Sequence, residues 1–212
     1  MSTRTIHLRL PRLPSGLASY PRVVLTSRPD VLAVEAPVHI ELRVDRVPFS
    51  PAQVAGYSRM CGFDAAEVRN GYVPVTYPHV LAMPLHLRIM AMGSFPLRPM
   101  GLIHLSNSIA APGRLEPDMT VDLRVQAHNY RKTDAGLAFD METTMTRDGA
   151  TVWRETCVFM SRWPESVART GGRPSRPPKA PKDSAVLDEL DVSLRTAWDY
   201  ARVSGDFNPI HL

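Results

Sequence analysis

The residues best suited to chemistry lie near the carboxyl end, where the chain reads Tyr200-Ala-Arg-Val-Ser204-Gly205-Asp206-Phe-Asn208-Pro209-Ile-His211. An aspartate and a histidine at this spacing can work as an acid–base pair only if the backbone bends between them. Gly205 permits a tight turn at a helix end. Pro209 fixes its own φ and biases Asn208 toward an extended conformation, and Asn208 can hydrogen-bond locally to hold the bend. The bend can bring the Asp206 carboxylate and the His211 imidazole to one point, as general acid–base catalysis requires. Gly, Asp, Asn and Pro are also ordinary turn formers that could simply end a helix. That explanation accounts for those residue types but not for a histidine at this offset. Five fixed residues at roughly one in twenty each recur by chance on the order of once in three million start positions.

Elements that could position such a pair are readable upstream. Residues 38–44 alternate apolar and polar and predict a strand. Ser50-Pro51-Ala52-Gln53 then predicts a helix start, with Ser50 as cap, Pro51 at the first helical position and Gln53 reaching back. That helix should run to about Cys61 and end at Gly62. Residues 77–92 are the most apolar stretch and predict a buried helix, which Pro84 either kinks or begins. Its His79 and His86 are seven apart and share a face. Metal ligation needs further ligands, and none lies nearby in sequence, so both read as core or pocket histidines. Met83, Met90, Met92 and Met100 read as adaptable core filler or, more sharply, as the wall of a flexible apolar tunnel. Stretches 102–109, 120–127, 137–147 and 151–162 predict strands separated by Ala-Pro-Gly and Arg-Asp-Gly turns. One buried helix wrapped by a curved antiparallel sheet is an α+β architecture.

Residues 164–184 hold hardly any large apolar side chain and are rich in proline, glycine and basic charge, which predicts a linker. Arg169, Arg173, Arg176, Lys179 and Lys182 carry much of the net charge of +4 there. No aromatics interleave them for base stacking, so they read as solvated charge and not as a nucleic-acid surface. Beyond the linker the sequence repeats. Asp45-RVPFSPAQVAG-Tyr57-SRM-Cys61-Gly62-Phe63 aligns without gaps with Asp188-ELDVSLRTAWD-Tyr200-ARV-Ser204-Gly205-Asp206. Asp, Ser, Tyr and Gly coincide, and Phe63 stands where the second copy has Asp206. The reading is one degenerate and one active copy: residues 1–163 as a first domain, 164–184 as linker, and 185–212 as the start of a second.

The bulk numbers agree with an ordinary globular protein of 212 residues, 44% hydrophobic and 22% charged. Cys61 and Cys157 lack CxxC spacing and fit a reducing cytoplasm. The amino terminus has no apolar signal-peptide core. The longest apolar run, 80–92, is too short and too interrupted to span a bilayer, so no membrane insertion is expected.

The pattern Tyr-x3-Ser-Gly-Asp-x-Asn-Pro-x-His resembles the signature of MaoC-like dehydratases and (R)-specific enoyl-CoA hydratases. TYPHVLAMPLHLRIM and GLIHLSNSI are similar, more weakly, to the N-terminal half of double-hotdog members. The resemblance implies a hotdog fold, a long central helix wrapped by a curved antiparallel sheet, followed by the start of a second hotdog. It implies that Asp206 and His211 are catalytic and together activate one water, which adds to C3 of a trans-2-enoyl thioester while C2 takes a proton. The reverse reaction dehydrates an (R)-3-hydroxyacyl thioester. Asn208, Gly205, Ser204 and Tyr200 would support the pair, with no cofactor and no metal. Substrates would be acyl-CoA or acyl-carrier-protein thioesters, and the assembly a homodimer or hetero-oligomer of hotdog domains. In the family a second helix and its strands follow the signature, so this reading expects a protein longer by about a half-domain of some 50 residues, with the 212 residues alone short of full machinery. The competing reading is a non-catalytic acyl-thioester-binding or structural hotdog subunit, favoured by Phe63.

Overall fold

The computed structural model describes residues 4–15, 23, 38–163 and 193–207. Six strands form one sheet: β1 (Arg4–Leu10), β2 (Val38–Pro48), β3 (Ile103–Ala110), β4 (Thr120–Lys132), β5 (Gly136–Arg147) and β6 (Ala150–Arg162), in the order β1-β2-β4-β5-β6-β3. Among the described residues four helices of five residues or more accompany them: α1 (Pro51–Met60), α2 (Ala65–Arg69), α3 (Tyr77–Met90) and α4 (Leu194–Ser204).

Alternation sets which face is buried. Ile40, Leu42 and Val44 of β2 face inward with Val121, Leu123, Val125 and Ala127 of β4. Phe139, Met141 and Met145 of β5 and Trp153 and Cys157 of β6 continue the layer. The sheet bends where one strand carries extra residues. Register shifts fall between Val44 and Val47 and between His128 and Arg131. Arg46 (φ 53°) and Asn129 (φ 54°) sit at those two places in left-handed conformation, one of the conformations in which a β-bulge takes up an extra residue. The Arg46 N–H donates to Asp122 Oδ1 at 2.9 Å, so the bulged backbone is satisfied.

The curved face wraps α3. Tyr77, Ala82, Leu85 and Ile89 of this helix are buried in the core. The Tyr77 ring meets Phe49 edge-on at 5.5 Å. The fully buried Trp153 donates its indole N–H to the Val75 carbonyl at 2.8 Å, tying the approach to α3 onto β6.

The predicted α+β hotdog architecture is the one observed, with differences of detail. β1 pairs with β2 in parallel, so the sheet is mixed and not wholly antiparallel. β1 and the five-residue α2 were not read from sequence. Residues 77–92 form a helix only to Met90, and Pro84 lies inside it, neither opening it nor ending it. Of the four methionines, Met90 is buried, but Met100 is 45% exposed and is not core filler. The linker 164–184 lies outside the described residues.

Candidate active site

The turn after α4 is built from the residues that the sequence singles out. Ser193 caps the helix, its hydroxyl accepting from the Thr196 N–H at 3.1 Å. At the other end Gly205 takes the left-handed conformation, φ 71°, and its N–H donates to the Ala201 carbonyl at 2.8 Å. Ser204 is buried. Its hydroxyl donates to the Tyr200 carbonyl at 2.8 Å and accepts from the Asp206 N–H at 3.1 Å. One side chain therefore ties the last helical turn to the backbone of Asp206, which is half-buried. Asn208 and His211 lie outside the described residues.

The repeat read from sequence has a spatial counterpart. Ser50, like Ser193, caps its helix, accepting from the Gln53 N–H at 3.4 Å. Gly62 follows α1 at φ 75°, as Gly205 follows α4 at φ 71°. The matched tyrosines Tyr57 and Tyr200 face one another, ring centroids 6.5 Å apart. Equivalent residues of two copies meet in this way near an axis that exchanges them. The Tyr57 hydroxyl lies 2.9 Å from Thr76 Oγ1. Burial is the main reason its pKa is pushed up to about 12. Tyr200 is raised too, by burial first and then by the Cys61 and Asp206 charges. Both phenols are therefore neutral hydrogen-bonding groups near pH 7 and not bases.

A cleft of about 400 Å³ opens beside this turn. Ser204, Gly205 and Phe207 line one side, and Tyr77, Val80, Leu81 and Pro84 of α3 line another. Gln53, Arg202 and Ser204 are among its polar members. Phe207 and Arg202 were missed by reasoning from sequence; of the methionines read as core filler or tunnel wall, Met83 of α3 lines this cleft. Apolar side chains beside several polar groups suit a ligand with an apolar chain and a polar end. The two histidines of α3 point elsewhere in function: neither lines the cleft, and both belong to a buried polar cluster with Glu155.

No family model matches the chain. Over 203 residues, 93% of its length, it is 32% identical to 3-hydroxyacyl-thioester dehydratase X of Mycobacterium tuberculosis, covering 69% of that protein. The crystal structure of HtdX from Mycobacterium tuberculosis superimposes with a TM-score of 0.62 at 29% identity, over 81% of this chain and 63% of that one. A solved MaoC-like dehydratase shares the fold, with a TM-score of 0.55 at 19% identity over 79% of this chain and 65% of that one. The chain thus spans less than two thirds of the length of these solved relatives. With the hotdog architecture and this identity together, the chain belongs to the family of 3-hydroxyacyl-thioester dehydratases, enzymes of the lyase class.

Proposed function

We propose that the protein carrying this segment interconverts trans-2-enoyl and (R)-3-hydroxyacyl thioesters, with Asp206 and His211 holding and activating one water. In hydration the pair takes a proton from the water as its oxygen bonds to C3. The C2=C3 electrons move toward the thioester carbonyl, and C2 receives a proton. Dehydration runs the same steps backward. Positioned acid–base groups contribute roughly 100- to 10,000-fold. Backbone amides that polarise the thioester carbonyl supply much of the remainder.

The observation that carries this reading is that Ser204, Gly205 and Phe207, the residues on either side of Asp206, line a cleft whose other wall is the apolar face of α3. An acyl chain lying along Val80, Leu81 and Pro84 would place its thioester end beside Asp206. Tyr200, Ser204 and Gly205 support the turn that carries Asp206, with Asn208 assigned to hold the bend to His211. Residues 1–163 form the degenerate hotdog that supplies the α3 wall, 164–184 the linker, and 185–212 the start of the catalytic hotdog. The matched Tyr57 and Tyr200 support this division. Acyl-CoA or acyl-carrier-protein thioesters in the cytoplasm are the substrates, and hotdog domains associate as homodimers or hetero-oligomers.

The test is hydration of crotonyl-CoA and a longer trans-2-enoyl-CoA by the whole protein, followed through loss of the enoyl absorbance and chiral analysis of the product. (R)-3-hydroxyacyl-CoA is expected. An (S) product, or hydrolysis of the thioester in place of hydration, would contradict the proposal.

A further inference from the structure

The concave side of the sheet carries a second set of chemically capable residues. His79 and His86 sit on α3, and Glu155 and Cys157 sit two apart on β6. None of the four lines the cleft beside Asp206. One ligand atom from each lies within 4.8 Å of the others. His86, Glu155 and Cys157 are essentially inaccessible to solvent. The His79 side chain keeps 21% exposure, which leaves a route in.

Neighbouring side chains orient these donors. His86 Nε2 lies 2.8 Å from Thr143 Oγ1. With Nε2 protonated and donating to that hydroxyl, Nδ1 carries the ring's lone pair. Nδ1 is buried with no hydrogen-bond partner among the described residues. Leaving such an atom unsatisfied costs about 1–3 kcal/mol, and an ion is one of the few things that accounts for it. Asn107 Nδ2 donates to Glu155 Oε1 at 2.7 Å, and His79 Nδ1 lies 2.7 Å from the same oxygen.

The protonation states favour ligation. Burial, reinforced by His79, pushes the His86 pKa down to about 3, so the imidazole is neutral near pH 7. Burial alone would raise Glu155, but its hydrogen bond and charge interaction with His79 hold the carboxyl below its ordinary value. Burial raises the Cys157 thiol. A coordinated dication reverses that preference and deprotonates a thiol outright.

We propose that His79, His86, Glu155 and Cys157 bind one divalent transition metal of the zinc class in a closed, four-ligand structural site. Two imidazoles, a carboxylate and a thiolate match zinc and not magnesium or calcium, which take oxygen ligands. Zinc bonds of about 2.0–2.3 Å set tetrahedral ligand atoms about 3.3–3.8 Å apart. Reaching that spacing draws in the wider pairs, up to 4.8 Å apart, and opens His79 Nδ1 from Glu155 Oε1 at 2.7 Å. Binding releases the Cys157 thiol proton to solvent, and His79 ligates as a neutral imidazole that keeps its one proton on the ring nitrogen facing away from the metal. The metal would then staple α3 to β6. The spacing of the histidines in sequence gave no sign of this, because the other two ligands come from a strand about 70 residues away.

The test is titration of the full chain, first stripped with a chelator, with cobalt(II). One equivalent should bind, with the visible bands of tetrahedral cobalt and a near-ultraviolet thiolate charge-transfer band. Zinc should displace it and raise Tm. Cys157→Ser should abolish the charge-transfer band and Cys61→Ser should leave it. Thr143→Val, which removes only the hydroxyl that orients His86, should weaken zinc binding about 10- to 100-fold. If Cys157→Ser does not fold, the unaltered chain still decides, since saturation without a thiolate band overturns the proposal. So does a band that follows Cys61, or binding abolished by His39→Ala, which would put the metal near His7, His39 and His128 on the other face of the sheet.

Discussion

The Asp206 N–H is held by the Ser204 hydroxyl, and that makes the support testable. Ser204→Ala removes a donor to the Tyr200 carbonyl and an acceptor for the Asp206 N–H. Each hydrogen bond contributes about 0.5–1.5 kcal/mol. If this stabilises the catalytic position, kcat falls about 10-fold, the equivalent of some 1.4 kcal/mol, with KM little changed. Stopped-flow or steady-state hydration kinetics read this directly. A second substitution acts through the backbone. A Cβ at Gly205 would meet nothing within 4 Å, yet φ is 71°. Gly205→Ala should therefore cost about 1–2 kcal/mol of left-handed strain, visible as a lower urea midpoint for α4 followed by Trp198 fluorescence. This turn was legible in the sequence because Ser, Gly and Asp impose their geometry locally.

Elements were legible where periodicity is strong and obscure where pairing decides. The strands 120–127 and 137–147 were read as strand-like stretches between turn signals, but β4 runs on to Lys132 because β5 is there to pair with it. β1 is exposed along most of its length, so burial stamps no pattern on it, and only its parallel pairing with β2 makes it a strand. α2 is too short for a helical period to show. The β5–β6 contact begins at a place that tolerates no side chain: a Cβ on Gly136 would fall 2.1 Å from the Ser161 carbonyl oxygen. Gly136→Ala should therefore displace the start of β5, and hydrogen exchange at its first residues should accelerate while the far end, near Arg147, stays protected. On α3, Leu85→Ala empties a fully buried site and should cost about 2–5 kcal/mol by chemical denaturation. His86 makes the same helix acid-sensitive. Its pKa is ordinarily 6.5 and is pushed down to about 3 in the folded chain. Above pH 6.5 both states are neutral and nothing is lost. Below it the unfolded chain binds a proton that the folded chain refuses, so stability falls with pH toward 3, by up to about 1.4 kcal/mol per unit. The lowered His104 and His39 act in the same direction, and Glu155 adds to it at still lower pH. Urea midpoints at pH 7 and pH 5, in chelator, should differ less for His86→Met than for the unaltered chain.

For the molecule as a whole, what joins distant segments could not be read from local pattern. The cleft needs α3 beside the turn after α4, and the polar cluster needs β6 beneath α3. The repeat was the exception: two matched stretches implied two matched helices, and these pack with Tyr57 against Tyr200. Membership of the dehydratase family fixes the fold and the class of chemistry, while the acid–base pair itself is the claim on which the functional account stands. The most direct measurement is crotonyl-CoA hydration by Asp206→Asn and His211→Ala in the whole protein, alongside acyl-CoA binding by each. The account predicts a loss of turnover of about 100- to 10,000-fold in each variant, with binding retained. Turnover unchanged in both variants would contradict it and leave a hotdog that binds thioesters without this pair acting on them.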